Sequence, residues 1–301
     1  MKRIVGISLG SSSRDHAVTV ELNNEQYRIE RIGTDSDMNK MIEKIRELDG
    51  KVDAFGLGGM DLYIYAVDRR YEIRDARRIV RAAKKTPIVD GSGLKNTLER
   101  RSIEYLNRNT DLFKTPQKVL LMCAMDRMGM AQALEEAGCI MTYGDLAFII
   151  GLPVFLSSLK TLAVIARVLA PPIGQLPFTM IYPTGDKQSI NKPRFRERFL
   201  ENNIIAGDFH FIRRFMPEQL PGKTIITNTV TRTDIDFLKE RKVKMLITTT
   251  PEMEGRSFGT NVMEALLVSM VGGKHELTEK EYNDLLKKLD LKPRVVDLQL
   301  I

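Results

Sequence analysis

Several stretches of this sequence carry residue types that could hold or transform a ligand. The first is Asp126-Arg127-Met128-Gly129, which follows an apolar run at 119–124 and precedes a helical stretch, 130–137, closed by Gly138. A glycine-bearing turn between strand and helix offers backbone N–H groups to a phosphate at the helix N-terminus. A second apolar run, 139–143, ends at Gly144-Asp145. An acid ending the second strand of such a unit can accept the hydroxyls of a ribose. The pattern therefore suits a dinucleotide, with its pyrophosphate over Asp126 to Gly129 and its ribose on Asp145. One glycine stands where three are usual, and a plain packing unit with a solvated Asp145 fits the pattern as well.

A second stretch, Asp90-Gly91-Ser92-Gly93-Leu94-Lys95, sets a carboxylate and an amine around one tight loop. Lys95 and Asp90 so placed could exchange a proton with a hydroxyl–carbonyl substrate; Ser92 or Asn96 acting as a simple helix cap is the alternative. Further along, polar residues recur where apolar runs end: Asn228-Thr229, Thr249 and Gly259. In an open parallel sheet ligands sit beyond the C-terminal strand ends, which gathers Asp126, Gly129, Asp145, Asn228, Thr229, Thr249 and Gly259 on one rim. Two glycine-rich turns, Gly10 to Arg14 and Gly56 to Gly59, also follow strands and are sharp turns or anion cradles. Between 187 and 198, Lys187, Lys192, Arg194, Arg196 and Arg198 interleave with Phe195. That cluster could clamp a cofactor phosphate, but it accompanies no nucleic-acid-binding motif and reads equally as an exposed helix start.

These residues need elements to position them. Apolar alternation predicts strands at 4–9, 17–22 and 26–32, a helix over 38–48 capped by Asp35 or Ser36, and a strand at 52–55. A hairpin at 62–73, a basic helix at 74–85, a short strand from Pro87 and a helix over 94–106 follow. Strands at 119–124, 139–143, 204–207, 224–229 and 245–249 should then share one mostly parallel sheet. The helices between them are expected at 157–170, stopped by Pro171-Pro172, and at 209–215, 234–241 and 262–271. The fold class is α/β with two domains. Residues 1–113 form an N-terminal α/β domain of substrate type. Residues 114–275 form a doubly wound, mostly parallel, Rossmann-like nucleotide-binding domain, and 276–301 a helix and tail returning to the first.

At 301 residues, 43% apolar and 28% charged, the chain can bury two cores. Its formal charge of +7 suits anionic partners. Cys123 and Cys139 sit in apolar runs, as inert packing thiols do, and three scattered histidines offer no metal-ligand spacing. The apolar segment 159–170 contains Lys160 and Arg167 and is too short to span a bilayer. The opening MKRIVGISLG enters a strand directly, so a cytoplasmic protein is expected.

Two resemblances add to this reading. The first sixty residues resemble the opening of the actin-like ATPase and sugar-kinase fold, although Ser8-Leu9-Gly10-Ser11 lacks the acid of that family's Asp-x-Gly loop. From Thr224 onward the chain resembles a shikimate/quinate dehydrogenase. Ile226-Thr227-Asn228-Thr229 is similar to the Asn-x-Thr strand end beside the nicotinamide. Gly259 to Ala265 is similar to the late helix, with Glu264 standing where a substrate-contacting Gln would be. The whole chain is similar to bacterial proteins catalogued as quinate 5-dehydrogenase. It departs from the family in its phosphate loop, in lacking the N-terminal Asn-x-Thr-x-Pro-x-Lys motif, and in having Leu98 after Lys95-Asn96-Thr97. The resemblance implies an NAD(P)-dependent oxidoreductase acting on a cyclic or polyhydroxy carboxylate. NAD or NADP would then be the cofactor, with NAD favoured by Asp145, and the partner a small anionic substrate; no membrane is implied, and a homodimer is allowed. Lys95 would be the acid/base with Asp90 its partner, Glu264 would touch substrate, and the cofactor would meet Asp126, Arg127, Met128, Gly129, Asp145, Asn228, Thr229, Thr249 and Gly259. The alternative from another class is a non-catalytic nucleotide- or small-acid-binding protein on an enzyme-like scaffold, which the degenerate glycine loop favours.

Overall fold

A computed structural model describes residues 1–66, 69–176, 191–253, 256–273 and 276–300; the 187–190 part of the basic stretch lies outside the described residues. In chain order the elements are β1 (Lys2–Ser8), β2 (His16–Leu22), β3 (Glu25–Gly33), α1 (Met38–Leu48), β4 (Ala54–Gly58), β5 (Tyr63–Ala66), β6 (Arg69–Glu72), α2 (Ala76–Val80), β7 (Ile88–Val89) and α3 (Ser92–Asn109). Then come β8 (Lys118–Leu121), α4 (Met128–Glu136), β9 (Ile140–Tyr143), α5 (Leu159–Gly174), α6 (Arg196–Glu201), β10 (Ile204–Ala206), α7 (Phe209–Phe215), β11 (Thr224–Thr227), α8 (Arg232–Glu240) and β12 (Met245–Thr248). The chain closes with β13 (Glu252–Met253), β14 (Arg256–Ser257), α9 (Thr260–Met270), α10 (Glu279–Lys288) and β15 (Arg294–Asp297). The fold is mixed α/β with two mostly parallel sheets, and the chain divides into two units. The first comprises 1–97, 169–188 and 258–291; the second comprises 98–168, 189–257 and 292–301.

In the first unit β1 is central. It pairs in parallel with β3 on one side and β4 on the other, β2 lies antiparallel outside β3, and β7 adds to β4. The helical period of Met41, Ile42, Ile45 and Leu48 puts all four in the core of this unit. The cap of α1 is Asp37, which accepts from the Asn39 and Lys40 N–H groups, while the expected caps Asp35 and Ser36 adopt positive φ in the turn before it. α9 is apolar nearly all round, as a fully enclosed helix must be, and it lies across β1 and β4. Its approach is close: a Cβ on Gly56 would fall 2.6 Å from the Asn261 carbonyl oxygen. Gly91 is doubly constrained, with φ +94° and only 2.6 Å from its would-be Cβ to the Asn261 nitrogen.

In the second unit the strand order is β15-β12-β11-β10-β8-β9, with β15 antiparallel to β12 and the other described pairs parallel. The five runs predicted to share a sheet do so; four are buried on both faces as an inner parallel strand requires, while β9 at the edge leaves Ile140 exposed. Alternate residues feed opposite cores. Val119, Leu121, Ile204 and Ile226 join Ile103, Leu106, Met130 and Leu134, whereas Leu120, Ile205, Ile225 and Leu246 join Phe148, Phe199, Ile212 and Leu238. After β9 the chain crosses back over β8 to lay down β10, so strand order reverses between β8 and β10.

Two further local expectations are corrected. α5 does not stop at the prolines but carries Pro171 and Pro172 in its last turn, where loss of their N–H groups removes only the final ladder bonds. The basic segment is helical only over Ala76–Val80. β15 went unpredicted, since its partly exposed edge position leaves Arg294 to Asp297 without an apolar signal.

Candidate functional site

The strand order reverses between β8 and β10, and the C-terminal strand ends at such a reversal are the usual ligand position in these sheets. The turn from β8 into α4 brings Arg127 there, wholly buried. Its guanidinium donates to Glu99 Oε1 of α3 and, at 3.0 Å, to Asp208 Oδ2, with Asp126 at 4.0 Å from Nε. Burial alone would lower the Arg127 pKa, but Glu99 above all, then Asp208 and Asp126, hold the guanidinium charged. Asp208 follows β10 and caps α7, accepting from the His210 N–H at 2.9 Å. Its Oδ2 also accepts from Asn228 Nδ2 at 3.1 Å. Asn228 is held in turn by the Thr227 hydroxyl, and its carbonyl oxygen accepts from the Thr250 hydroxyl at 2.6 Å. Asp208 thus has three donors fixing its orientation while its side chain stays 23% exposed. Thr249, next to these at the end of β12, is buried and its hydroxyl has no hydrogen-bond partner among the described residues.

Asp145 has a different setting from the one expected. It is 4% exposed, and its two carboxylate oxygens accept the backbone N–H groups of Ala124 at 3.1 Å and Met125 at 2.9 Å. Burial pushes its pKa up to about 6 against those two hydrogen bonds. It braces the strand-end turn from within. Met128 and Gly129 begin α4 and are buried, Thr229 follows Asn228 half-buried, and Gly259 belongs to the first unit as the N-cap of α9.

The first unit collects the remaining predicted residues. Asp90 accepts from Leu62 N–H at 2.6 Å, Ser92 N–H at 2.9 Å and the Ser92 hydroxyl at 2.5 Å. Lys95, nearly buried, lies 3.8 Å from Asp61. Glu264 is wholly buried, accepts from Gly91 N–H at 2.5 Å and from the Tyr282 hydroxyl, and lines a cleft of about 760 Å³ with Asp90, Glu276, Arg70 and Tyr63. Glu99, Glu276 and Tyr282 carry no sequence signal of a role; Asp208, an acid ending a buried strand, does.

With this geometry in hand, comparison with known families places residues 93–298 in the family described as domain of unknown function DUF8754. The chain belongs to that family. Residues 3–90 match a second domain of unknown function, DUF8753, so the two meet at the turn between β7 and α3. No curated protein matches the chain. Similar solved structures include an ABC transporter solute-binding protein from Burkholderia multivorans, 10% identical, TM-score 0.36, covering 98% of this chain and 99% of that one. Another is a periplasmic ribose ABC transporter protein from Conexibacter woesei, 8% identical, TM-score 0.38, covering 100% and 93%. A third is a glucose-galactose-binding protein from Geobacillus stearothermophilus, 9% identical, TM-score 0.34, covering 99% and 98%.

The expected kinship to quinate and shikimate dehydrogenases, and with it NAD(P)-dependent oxidation of a hydroxy carboxylate, is corrected: the similar structures are solute-binding proteins. The geometry agrees with the correction. The carboxylates of Glu99, Asp126 and Asp208 converge on Arg127 where a pyrophosphate would lie. Each like pair brought to 4 Å costs about 4 kcal/mol at an effective dielectric of about 20. Among the described residues no group of three or more side chains suits a metal ion, and no helix is long and apolar enough to cross a membrane.

Proposed function

We propose that this protein is a non-catalytic binding protein whose second unit takes a neutral, polyhydroxylated small molecule at the C-terminal edge of its sheet. The sheet reads as a doubly wound, Rossmann-like one, with the ligand at the strand-order reversal. The observation that carries the proposal is Asp208: a partly exposed carboxylate fixed by Arg127, Asn228 and the His210 N–H. A hydroxyl both donates and accepts, so vicinal hydroxyls suit a carboxylate flanked by amide and guanidinium donors. Carboxylates gathered at the strand ends disfavour anions, and an acceptor already oriented by donors binds without reorganising.

Calorimetric titration of the intact protein with neutral pentoses, hexoses and linear polyols, beside cyclic hydroxy acids and nucleotides, tests the reading. A neutral polyol should bind, and Asp208→Ala and Asn228→Ala, checked for folding by circular dichroism, should weaken it about 10–100-fold, as expected for hydrogen bonds to a charged group. Tighter binding of an anion, or unchanged affinity in both variants, would overturn it.

A further inference from the structure

Away from that strand-end cluster, a set of titratable groups surrounds Glu264 in the first unit. Glu264 Oε2 accepts from the Gly91 N–H before α3, and Oε1 accepts from Tyr282 of α10. The Tyr282 oxygen in turn accepts from the Leu277 N–H at 3.2 Å. One carboxyl therefore ties α9, the turn after β7 and the segment leading into α10. Glu264 Oε1 and Glu276 Oε1 each lie 2.5 Å from the point where a Cβ on Gly93 would stand, so they are no more than about 5 Å apart. The groups facing Glu264 are Asp90 from the turn, Glu276 from the leading segment and Tyr282 from α10; the nearby cations are engaged with other carboxylates, Arg70 with Glu276 at 2.7 Å and Lys95 with Asp61.

We propose that Glu264 is a pH-operated latch: neutral, it fastens residues 276–278 and the start of α10 to α9, and its ionisation beside Asp90 and Glu276 loosens them. Glu276 is the member that yields, since its side chain is 32% exposed while Glu264 and Tyr282 are wholly enclosed. Burial first, with Asp90 and Glu276 adding, pushes the Glu264 pKa up to about 8. The folded state then keeps a proton that the unfolded chain releases near 4.5, so the contribution to stability is full below that pH and falls away up to about 8. The Tyr282 hydroxyl is raised well above its ordinary range by burial and stays protonated across this window.

Hydrogen exchange of the native protein, corrected for intrinsic rates, provides the test. Protection at Leu277 to Tyr282 should fall about tenfold or more between pH 6 and pH 9. Glu264→Gln should keep its acceptor and show no transition. Glu276→Gln, which removes a neighbouring negative charge, should move the midpoint to lower pH. Protection that is constant with pH in the native protein, or a transition that persists in Glu264→Gln, would overturn the latch. Should Glu264→Gln fail to fold, the direction of the Glu276→Gln shift decides: a midpoint that stays or rises refutes it.

Discussion

Replacing Arg127 by Met is the sharpest test of how the strand-end cluster is built. Methionine fills much of the aliphatic volume but leaves Glu99 wholly enclosed without its guanidinium. Asp208, more exposed, keeps Asn228 and the His210 N–H and suffers less. Removing one partner of a buried pair costs about 3–5 kcal/mol, a large share of the roughly 5–15 kcal/mol by which folded proteins are stable. Most of that loss belongs to the buried Glu99 carboxylate that no longer meets the guanidinium. Adding Glu99→Gln to Arg127→Met should therefore regain about 2 kcal/mol, leaving the roughly 1–3 kcal/mol cost of an unsatisfied neutral group. Urea unfolding followed by circular dichroism at matched m-values measures all three proteins. A loss under about 1 kcal/mol in Arg127→Met, or no recovery in the double variant, would refute the idea that Glu99 depends on Arg127.

The Asp145 carboxyl, raised by burial to about 6 from 3.8, should make the second unit lose up to about 3 kcal/mol as pH rises from about 4 to 6, and Asp145→Asn should flatten that slope in pH-dependent melts. Gly91→Ala combines positive φ with a 2.6 Å clash against Asn261 and should cost about 2–4 kcal/mol by urea unfolding; a neutral result would mean the turn relaxes. Thr278→Ala breaks the capping box with Glu281 and should cost about 1 kcal/mol, measurable in the same way.

The parallel sheet of the second unit was legible because strands buried on both faces read as unbroken apolar runs, and Val119 to Leu121 or Ile225 to Thr227 could hardly be otherwise. The strand-end cluster was legible only in outline. The strand-end rule names Asp126 and Asn228 but not Arg127, which entered with the cofactor contacts that the resemblance implied, and Glu99 lies 28 residues before Arg127 on a helix whose own period gives no sign of the pairing. Asp145 illustrates the opposite error: an acid after a strand suggests a ribose, yet the same carboxylate can turn inward and satisfy the backbone of its own turn. Glu264 was singled out by analogy to a glutamine, while its actual partners, Gly91 and Tyr282, come from segments that meet only after folding.

That α9 completes the first unit has a bearing on synthesis. The sheet of β1, β3 and β4 leaves the ribosome early, but the helix that covers it, pressed against Gly6 and Gly56, is made only after the second unit's main strands. At about 5–20 residues per second, residues 1–97 wait about 10–40 s for residues 258–291, with one face of β1 and β4 bare. The second unit can meanwhile close most of its core. The nascent chain is therefore expected to order itself from the middle outward, and a chaperone that recognises apolar sheet should engage the beginning of this protein rather than its end.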